Sequence, residues 1–211
     1  MNVWSFIVEH RDKMLQLTIQ HVHVVAVSVV LATILGVLIG IFITRNKRLA
    51  DSVLYVAGII MTIPSIAMFG ILIPIVGIGF TPAVIALVLY GQLPIIRNTY
   101  TAITGVDPAI IEAGRGMGMT ERQLMLRIRL PLATPVILAG VRTAVVMNVG
   151  IAAIAAYIGA GGLGKYIFWG ISRTWDQMVV AGAIGVSVIA ILADWILGRL
   201  EKRLVPRGIR E

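Results

Sequence analysis

The stretch DPAIIEAGRGMGMTERQLMLRIRLPLATP, residues 107–135, decides how the chain folds, because it is the one long charged interruption between two apolar runs of membrane-crossing length. Read locally, it is a helical hairpin. Asp107 is placed to cap the free N–H groups of a helix that begins at Pro108, where a missing N–H does no harm. That helix runs through Ile110, Ile111, Glu112 and Ala113. Gly116 and Gly118 then permit the left-handed backbone that ends a helix and reverses the chain. Thr120, three residues before Gln123, opens a second helix with a capping box. This helix is expected to end at Leu130, since Pro131 cannot extend it. Five arginines lie between Arg97 and Arg129, so the segment sits outside the hydrocarbon and is available to a partner.

Outward from the hairpin the chain is oily. Of 211 residues, 58% are hydrophobic and 13% charged, whereas a soluble domain carries about 25% charged residues. The composition implies an all-α integral membrane protein. With no cysteine there is neither a disulfide nor thiolate chemistry, and three histidines without a carboxylate cluster make no metal site. The net charge of +8 tracks topology rather than a nucleic-acid footprint. Arg45, Lys47 and Arg48 follow the first span, Arg97 to Arg129 surround the hairpin, and Arg199, Lys202, Arg203, Arg207 and Arg210 follow the last span. Outside the spans, only Arg11, Lys13, Lys165 and Arg173 fall on the other side. The positive-inside rule then predicts a multi-pass protein of the cell membrane with its N-terminus outside and its C-terminus cytoplasmic. The basic tail, residues 200–211, reads as a topology anchor able to touch anionic lipid.

Residues 1–18 interleave Trp4, Phe6, Ile7, Met14 and Leu17 with Glu9, His10, Arg11, Asp12 and Lys13, the pattern of an amphipathic helix in the outer interface. They carry no signal-peptide features. Five spans are expected at about 22–43, 53–76, 83–103, 136–158 and 178–197, each long enough for about 30 Å of hydrocarbon. His21 and His23 border the first and read as interfacial residues; Gly36 and Gly40 form a G-x-x-x-G that lets another helix approach. Pro64 kinks the second span, either to improve packing or to bend it along a solute route. Arg97 reads as a snorkelling or paired residue. Asn148, near mid-depth in the fourth span, is either a helix–helix hydrogen bond or a pathway residue. Asp194, the only acid within the spans, faces two candidate partners, Arg199 one turn on and Arg142 across helices.

The hairpin carries a resemblance. Glu112, Ala113 and Gly114, three residues, Gly118, nine residues, then Ile128, Leu130 and Pro131 resemble the E-A-A-x3-G-x9-I-x-L-P pattern of the EAA loop of ABC importer permeases. Gly114 stands where the pattern has its second alanine. The competing reading is an ordinary helix–turn–helix connector whose arginines only fix topology. The resemblance covers about residues 19–199 and implies the type-1, methionine-importer-like permease core, with residues 107–135 as its coupling loop. MTIPSIAMFGILIPIVGIG (61–79), YGQLPIIRNTYTAI (90–103) and IGAGGLG (158–164) look most like the osmoprotectant branch, which imports glycine betaine, carnitine, choline and related quaternary ammonium compounds.

That family implies a division of labour. The first hairpin helix would sit in a groove of a separate ATP-binding subunit, with Glu112 fixing it, Ala113 and Gly114 allowing close approach, and Gly118 setting the turn. Ile128, Leu130 and Pro131 would lock the hairpin to the membrane helices. ATP and magnesium would belong to a dimer of that subunit, so this chain is expected to be no enzyme and to hold no cofactor itself. Five spans are too few to enclose a path, which implies a second copy or a paralogue, and an extracellular binding protein would deliver the solute. Gly159, Gly161, Gly162 and Gly164 resemble the Y-I-G-A-G-G-L-G segment near the outer gate and the binding-protein docking surface; no G-K-[ST] follows, so nucleotide binding there is not expected. Thr62, Pro64, Ser65, Asn148 and Tyr157 are candidate pathway residues. The fourteen aromatics show no cluster of three or four at one depth, so an aromatic cage for a quaternary ammonium group is not expected. An amino-acid or methionine-type permease, an ATP-independent channel gated by the hairpin, and a non-conducting scaffold are the alternatives. An energy source other than ATP would need ionisable groups at depth or inverted repeats, and neither is seen.

Overall fold

The computed structural model describes residues 2–204, and within them every regular element is helical. The predicted tail positions Arg207 and Arg210 lie outside the described residues. In chain order the helices are α1 (Val3–Glu9), α2 (Arg11–Ile43), α3 (Lys47–Thr62), α4 (Ser65–Val76), α5 (Phe80–Thr104), α6 (Pro108–Gly116), α7 (Glu121–Leu124), α8 (Leu130–Ala155), α9 (Gly164–Ser172) and α10 (Asp176–Leu204). Among the described residues four helical stretches are long and apolar enough to cross a membrane, or five if the bent pair α3–α4 is one span.

Helix α5 is the centre of the bundle, packed against α2, α8, α3 and α4. Lipid offers no hydrophobic drive for one helix to leave it for another, so close packing of small residues must supply the contact. The two glycines of the G-x-x-x-G do this. A Cβ on Gly36 would lie 2.7 Å from Ile95 Cγ2, and one on Gly40 would lie 2.5 Å from Thr99 Cβ. Gly140 of α8 is pressed likewise on the Pro94 carbonyl of α5, at 2.8 Å. Above these crossings the core fills with Val24, Val25, Met68, Phe69, Leu87, Tyr90 and Val149.

Four expectations are corrected. Pro64 does not merely kink a span: α3 and α4 meet at 98°. Proline lacks the N–H that would continue the ladder, and Tyr90 Oη donates to the Ile63 carbonyl across 2.6 Å, satisfying an acceptor exposed by the break. Pro131 does not end the hairpin's second helix. A π-turn, Met125–Arg129, joins α7 to α8, and the Leu130 N–H reaches back five residues to the Met125 carbonyl; the wider turn absorbs the donor that Pro131 lacks. The N-terminal segment is not simply an interfacial helix. Only α1 is separate, the boundary drawn at 18/19 falls inside the unbroken α2, and Phe6 and Leu17 are buried against Leu163, Tyr166, Met178 and Ala181. Finally, His21 is not interfacial: it is 1% exposed, and its Nε2 lies 3.1 Å from the Val149 carbonyl of α8. A carbonyl only accepts, so Nε2 carries the hydrogen.

Candidate coupling hairpin and its surroundings

The hairpin is built by local capping. Asp107 Oδ1 accepts from the Ala109 N–H at 2.8 Å, and Pro108 occupies the first turn of α6. The helix ends on Gly118 at φ +79°, while Gly116 stays helical, so only one of the two expected glycines takes the left-handed conformation. The Met119 N–H donates to the Gly114 carbonyl and the Gly118 N–H to Arg115, which returns the last carbonyls of α6 to hydrogen bonds. Thr120 and Gln123 form the full reciprocal capping box. Arg115 closes the hairpin from outside, with Nε and Nη2 at 3.0 and 2.7 Å from Glu121 Oε1.

The two faces of α6 differ in kind. Its inner face, Ile111 and Gly114, is buried. A Cβ on Gly114 would lie 2.6 Å from Leu124 Cδ2 and 2.9 Å from Ile128 Cδ1, so glycine in place of the pattern's alanine lets α6 lie closer to the second arm. Ile128 and Leu130 are half-buried on that side, and Pro131 is exposed. The outer face presents Ala109, Ile110, Glu112, Ala113 and Met117, all exposed. Ile110 is 43% and Met117 75% exposed, and Glu112 has no side-chain partner among the described residues. Ile110 and Met117 together form an apolar ridge beside that carboxylate.

The pathway candidates do not form one surface. Thr62, Pro64 and Ser65 come together at the α3–α4 bend, with Thr62 and Pro64 exposed and Ser65 half-buried. Asn148 is fully buried, and its Nδ2 donates to the Leu87 carbonyl at 3.1 Å, so it is a bond between α8 and α5. Tyr157 is 71% exposed beside Phe168.

The glycine segment is stitched to α2. Gly159, Gly161 and Gly162 all have φ near +87°. The Gly162 N–H donates to Gln20 Oε1 at 3.3 Å, and a Cβ there would lie 2.9 Å from His21 Nδ1. Gly164 opens α9 so close to the Ala153 carbonyl that no side chain fits. Nothing in the local sequence marks Gln20 and His21 as the floor of a loop 142 residues away; only the contact itself does. The same is true of the aromatics. Phe6 packs against Tyr166 at 5.7 Å, Trp175 at 5.2 Å and His10 at 4.2 Å, a cluster that the thin spread in sequence did not suggest. Phe6 is 0% and Tyr166 2% exposed, so the rings fill one another rather than enclose an open cage.

Asp194 takes the partner across helices. Arg142 Nε and Nη2 grip its two oxygens at 2.6 and 2.7 Å, and Nη1 reaches Glu201 at 3.3 Å, tying α8 to α10. Arg199 instead lies 3.9 Å above the Trp195 ring. Arg97 is exposed.

Comparison with known proteins agrees with this architecture. The family model described as "Binding-protein-dependent transport system inner membrane component" matches residues 32–206. The osmoprotectant import permease protein OsmW of Salmonella typhimurium is 48% identical over 215 residues, covering 100% of both chains. The choline transport system permease protein OpuBB of Bacillus subtilis is 38% identical over 209 residues, covering 99% of this chain and 96% of its own. The carnitine transport permease protein OpuCB of Listeria monocytogenes is 41% identical, covering 98% and 95%. Among solved structures, the MetNI methionine ABC transporter in an inward-facing conformation superposes with a TM-score of 0.81 at 22% identity, covering 91% of this chain and 96% of that one, a likeness of fold alone.

Proposed function

From the premise that the chain belongs to the family of inner-membrane components of binding-protein-dependent transport systems, we propose that it carries a quaternary ammonium osmoprotectant, such as glycine betaine, carnitine or choline, across the cell membrane. It is a permease subunit of an ABC importer and not itself an enzyme; a separate ATPase hydrolyses ATP. The observation that carries the substrate class is similarity over nearly the whole chain to permeases named for osmoprotectants, choline and carnitine. It favours this class over amino acids, for which the likeness is one of fold at 22% identity.

The free outer face of α6, with Ile110, Glu112, Ala113 and Met117, supports docking into an ATP-binding subunit. Two such subunits, holding ATP and magnesium, would act on a pair of permease chains, identical or paralogous, with the solute route between them. The bend at Thr62, Pro64 and Ser65 contributes to that route; Asn148 and Tyr157 do so only indirectly, the first as a packing bond. The glycine segment Gly159–Gly164 forms part of the outer gate and the seat of the extracellular binding protein. The distribution of lysine and arginine supports an external N-terminus and a cytoplasmic C-terminus.

The test is uptake into vesicles carrying this chain together with an ATP-binding subunit and a binding protein that co-purify with it. Labelled glycine betaine, carnitine and choline are expected to enter only with ATP inside the ATPase compartment, and methionine is expected not to compete. Substantial flux by the permease alone, or competition by methionine, overturns the reading.

A further inference from the structure

At the hairpin end of the bundle, between the last turn of α2 and the π-turn, lies a cavity of ≈ 750 Å³ lined by Ile41, Thr44, Arg45, Glu121, Arg122, Met125, Leu126 and Arg129. Its charge is unbalanced. Three guanidinium groups share it with one carboxylate, and Glu121 is already held by Arg115. None of Arg45, Arg122 and Arg129 has an acidic partner among the described residues; Arg45 lies only against the Phe42 ring, at 5.7 Å. The Thr44 hydroxyl donates to the Ile41 carbonyl and adds no negative charge. Three cations gathered in one cavity repel each other, and an anion placed among them relieves that repulsion.

The position says which anion. The apolar run of α2 ends at Ile43, so Thr44 and Arg45 sit where hydrocarbon gives way to headgroups. Phe42, under Arg45, and Leu38, one turn of α2 further into the apolar run, are exposed at 56% and 60%, and the cavity-lining Leu126 is exposed at 53%. No residue of α6 lines the cavity, so the face offered to an ATP-binding subunit is a different one. We propose that this cavity binds the phosphodiester headgroup of an anionic phospholipid, with Arg45, Arg122 and Arg129 on the phosphate and the acyl chains along Leu38, Phe42 and Leu126. The lipid bridges α2 to the π-turn and so steadies the base of the hairpin. This rests only on the chain crossing a bilayer, not on the identity of the transported solute.

The test titrates the detergent-solubilised full complex with phosphatidylglycerol or phosphatidylcholine and counts bound lipid by native mass spectrometry. Phosphatidylglycerol is expected to be retained and phosphatidylcholine not. Arg45→Gln, Arg122→Gln and Arg129→Gln are each expected to weaken retention about fivefold, and the triple variant about a hundredfold, since a basic side chain near an anionic surface contributes about 1 kcal/mol. Arg173→Gln, whose guanidinium lies over Trp169 away from the cavity, is expected to change nothing. Millimolar inorganic phosphate should not displace the lipid, because the acyl contacts are lost to it. Retention by the triple variant equal to the parent's overturns the proposal, as does an equal loss in Arg173→Gln. Full competition by phosphate reassigns the cavity to a soluble anion. Loss of the ATP-binding subunit with lipid retention unchanged reassigns it to that protein. Should the triple variant fail to assemble, Arg45→Gln and Arg122→Gln, both at exposed positions, decide the matter alone.

Discussion

Replacing Gly118 by valine separates the conformational requirement of the hairpin from its steric one. Gly118 has φ +79°, and a Cβ built on it meets nothing within 4 Å, so a side chain there finds room but not an acceptable backbone. Holding an ordinary L-residue in this region costs roughly 1–2 kcal/mol, and a β-branched one lies at the upper end. About 2 kcal/mol shifts the equilibrium between closed and open turn about thirtyfold toward the open form. The bonds lost with it are Met119 N–H to Gly114, Gly118 N–H to Arg115, and the Arg115–Glu121 pair. Asparagine tolerates the left-handed region far better, so Gly118→Asn should retain most function. The assay is the affinity of the purified permease for its ATP-binding subunit, with ATP-driven uptake in parallel and hydrogen exchange of amides 107–130 as the structural readout. Gly118→Val is expected to weaken binding by up to about thirtyfold and to speed exchange, Gly118→Asn to do neither by more than a few-fold. Unaltered subunit affinity in the valine variant, despite faster exchange, would remove the hairpin from coupling. Equal damage by asparagine and valine would refute the backbone explanation.

Asp194→Asn leaves the Arg142 guanidinium with Glu201 alone in place of its bidentate partner and is expected to lower the thermal midpoint of the solubilised permease, with Asp194→Glu, which keeps the charge, losing less. Gly40→Val drives side-chain atoms into Thr99 and the Ile96 carbonyl; a stability loss of about 1–3 kcal/mol is expected from overpacking, read against Gly58→Ala, where nothing lies within 4 Å. Tyr90→Phe removes the donor to the half-buried Ile63 carbonyl at the 98° bend and is expected to cost about 1 kcal/mol, measured by denaturation, with uptake falling in step.

What the sequence discloses about this fold is what acts within a few residues. Asp107 capping Ala109 and Thr120 exchanging bonds with Gln123 are contacts two and three residues apart, and composition and spacing suffice to read them. The presence of the long apolar helices is legible for the same reason, since a run of apolar residues is a local feature. Two of the failures involve a partner far along the chain. Pro64 reads as a kink because the hydroxyl that stabilises a sharper break belongs to Tyr90, 27 residues beyond the Ile63 carbonyl it bonds. His21 reads as interfacial because its acceptor, Val149, is 128 residues away. Pro131 is the instructive case: proline was expected to stop the helix, yet a π-turn just before it supplies the geometry in which its missing donor is not needed, a remedy that neighbouring residue types do not announce. Phe6, Tyr166 and Trp175 meet only because α1 folds back over α9 and α10.

Because Pro131 leaves the helix unbroken, the hairpin has a direct connection through the bundle. The helical stretch Glu121–Ile158 is 38 residues long, which at 1.5 Å per residue is a rod of roughly 57 Å. One end carries the capping box and the buried face of α6 through Gly114, Leu124 and Ile128; the other runs straight into the glycine segment that rests on Gln20 and His21. Along the way Asn148 ties the rod to α5 and Arg142 ties it to α10. A hairpin hinged at Leu130, as the sequence suggested, would dissipate a displacement in its own joint. A continuous rod gripped at two depths has no such joint and is held by both neighbouring helices. The π-turn is thus the element that keeps the hairpin's second arm and the membrane helix one continuous rod, and no sequence pattern marked it.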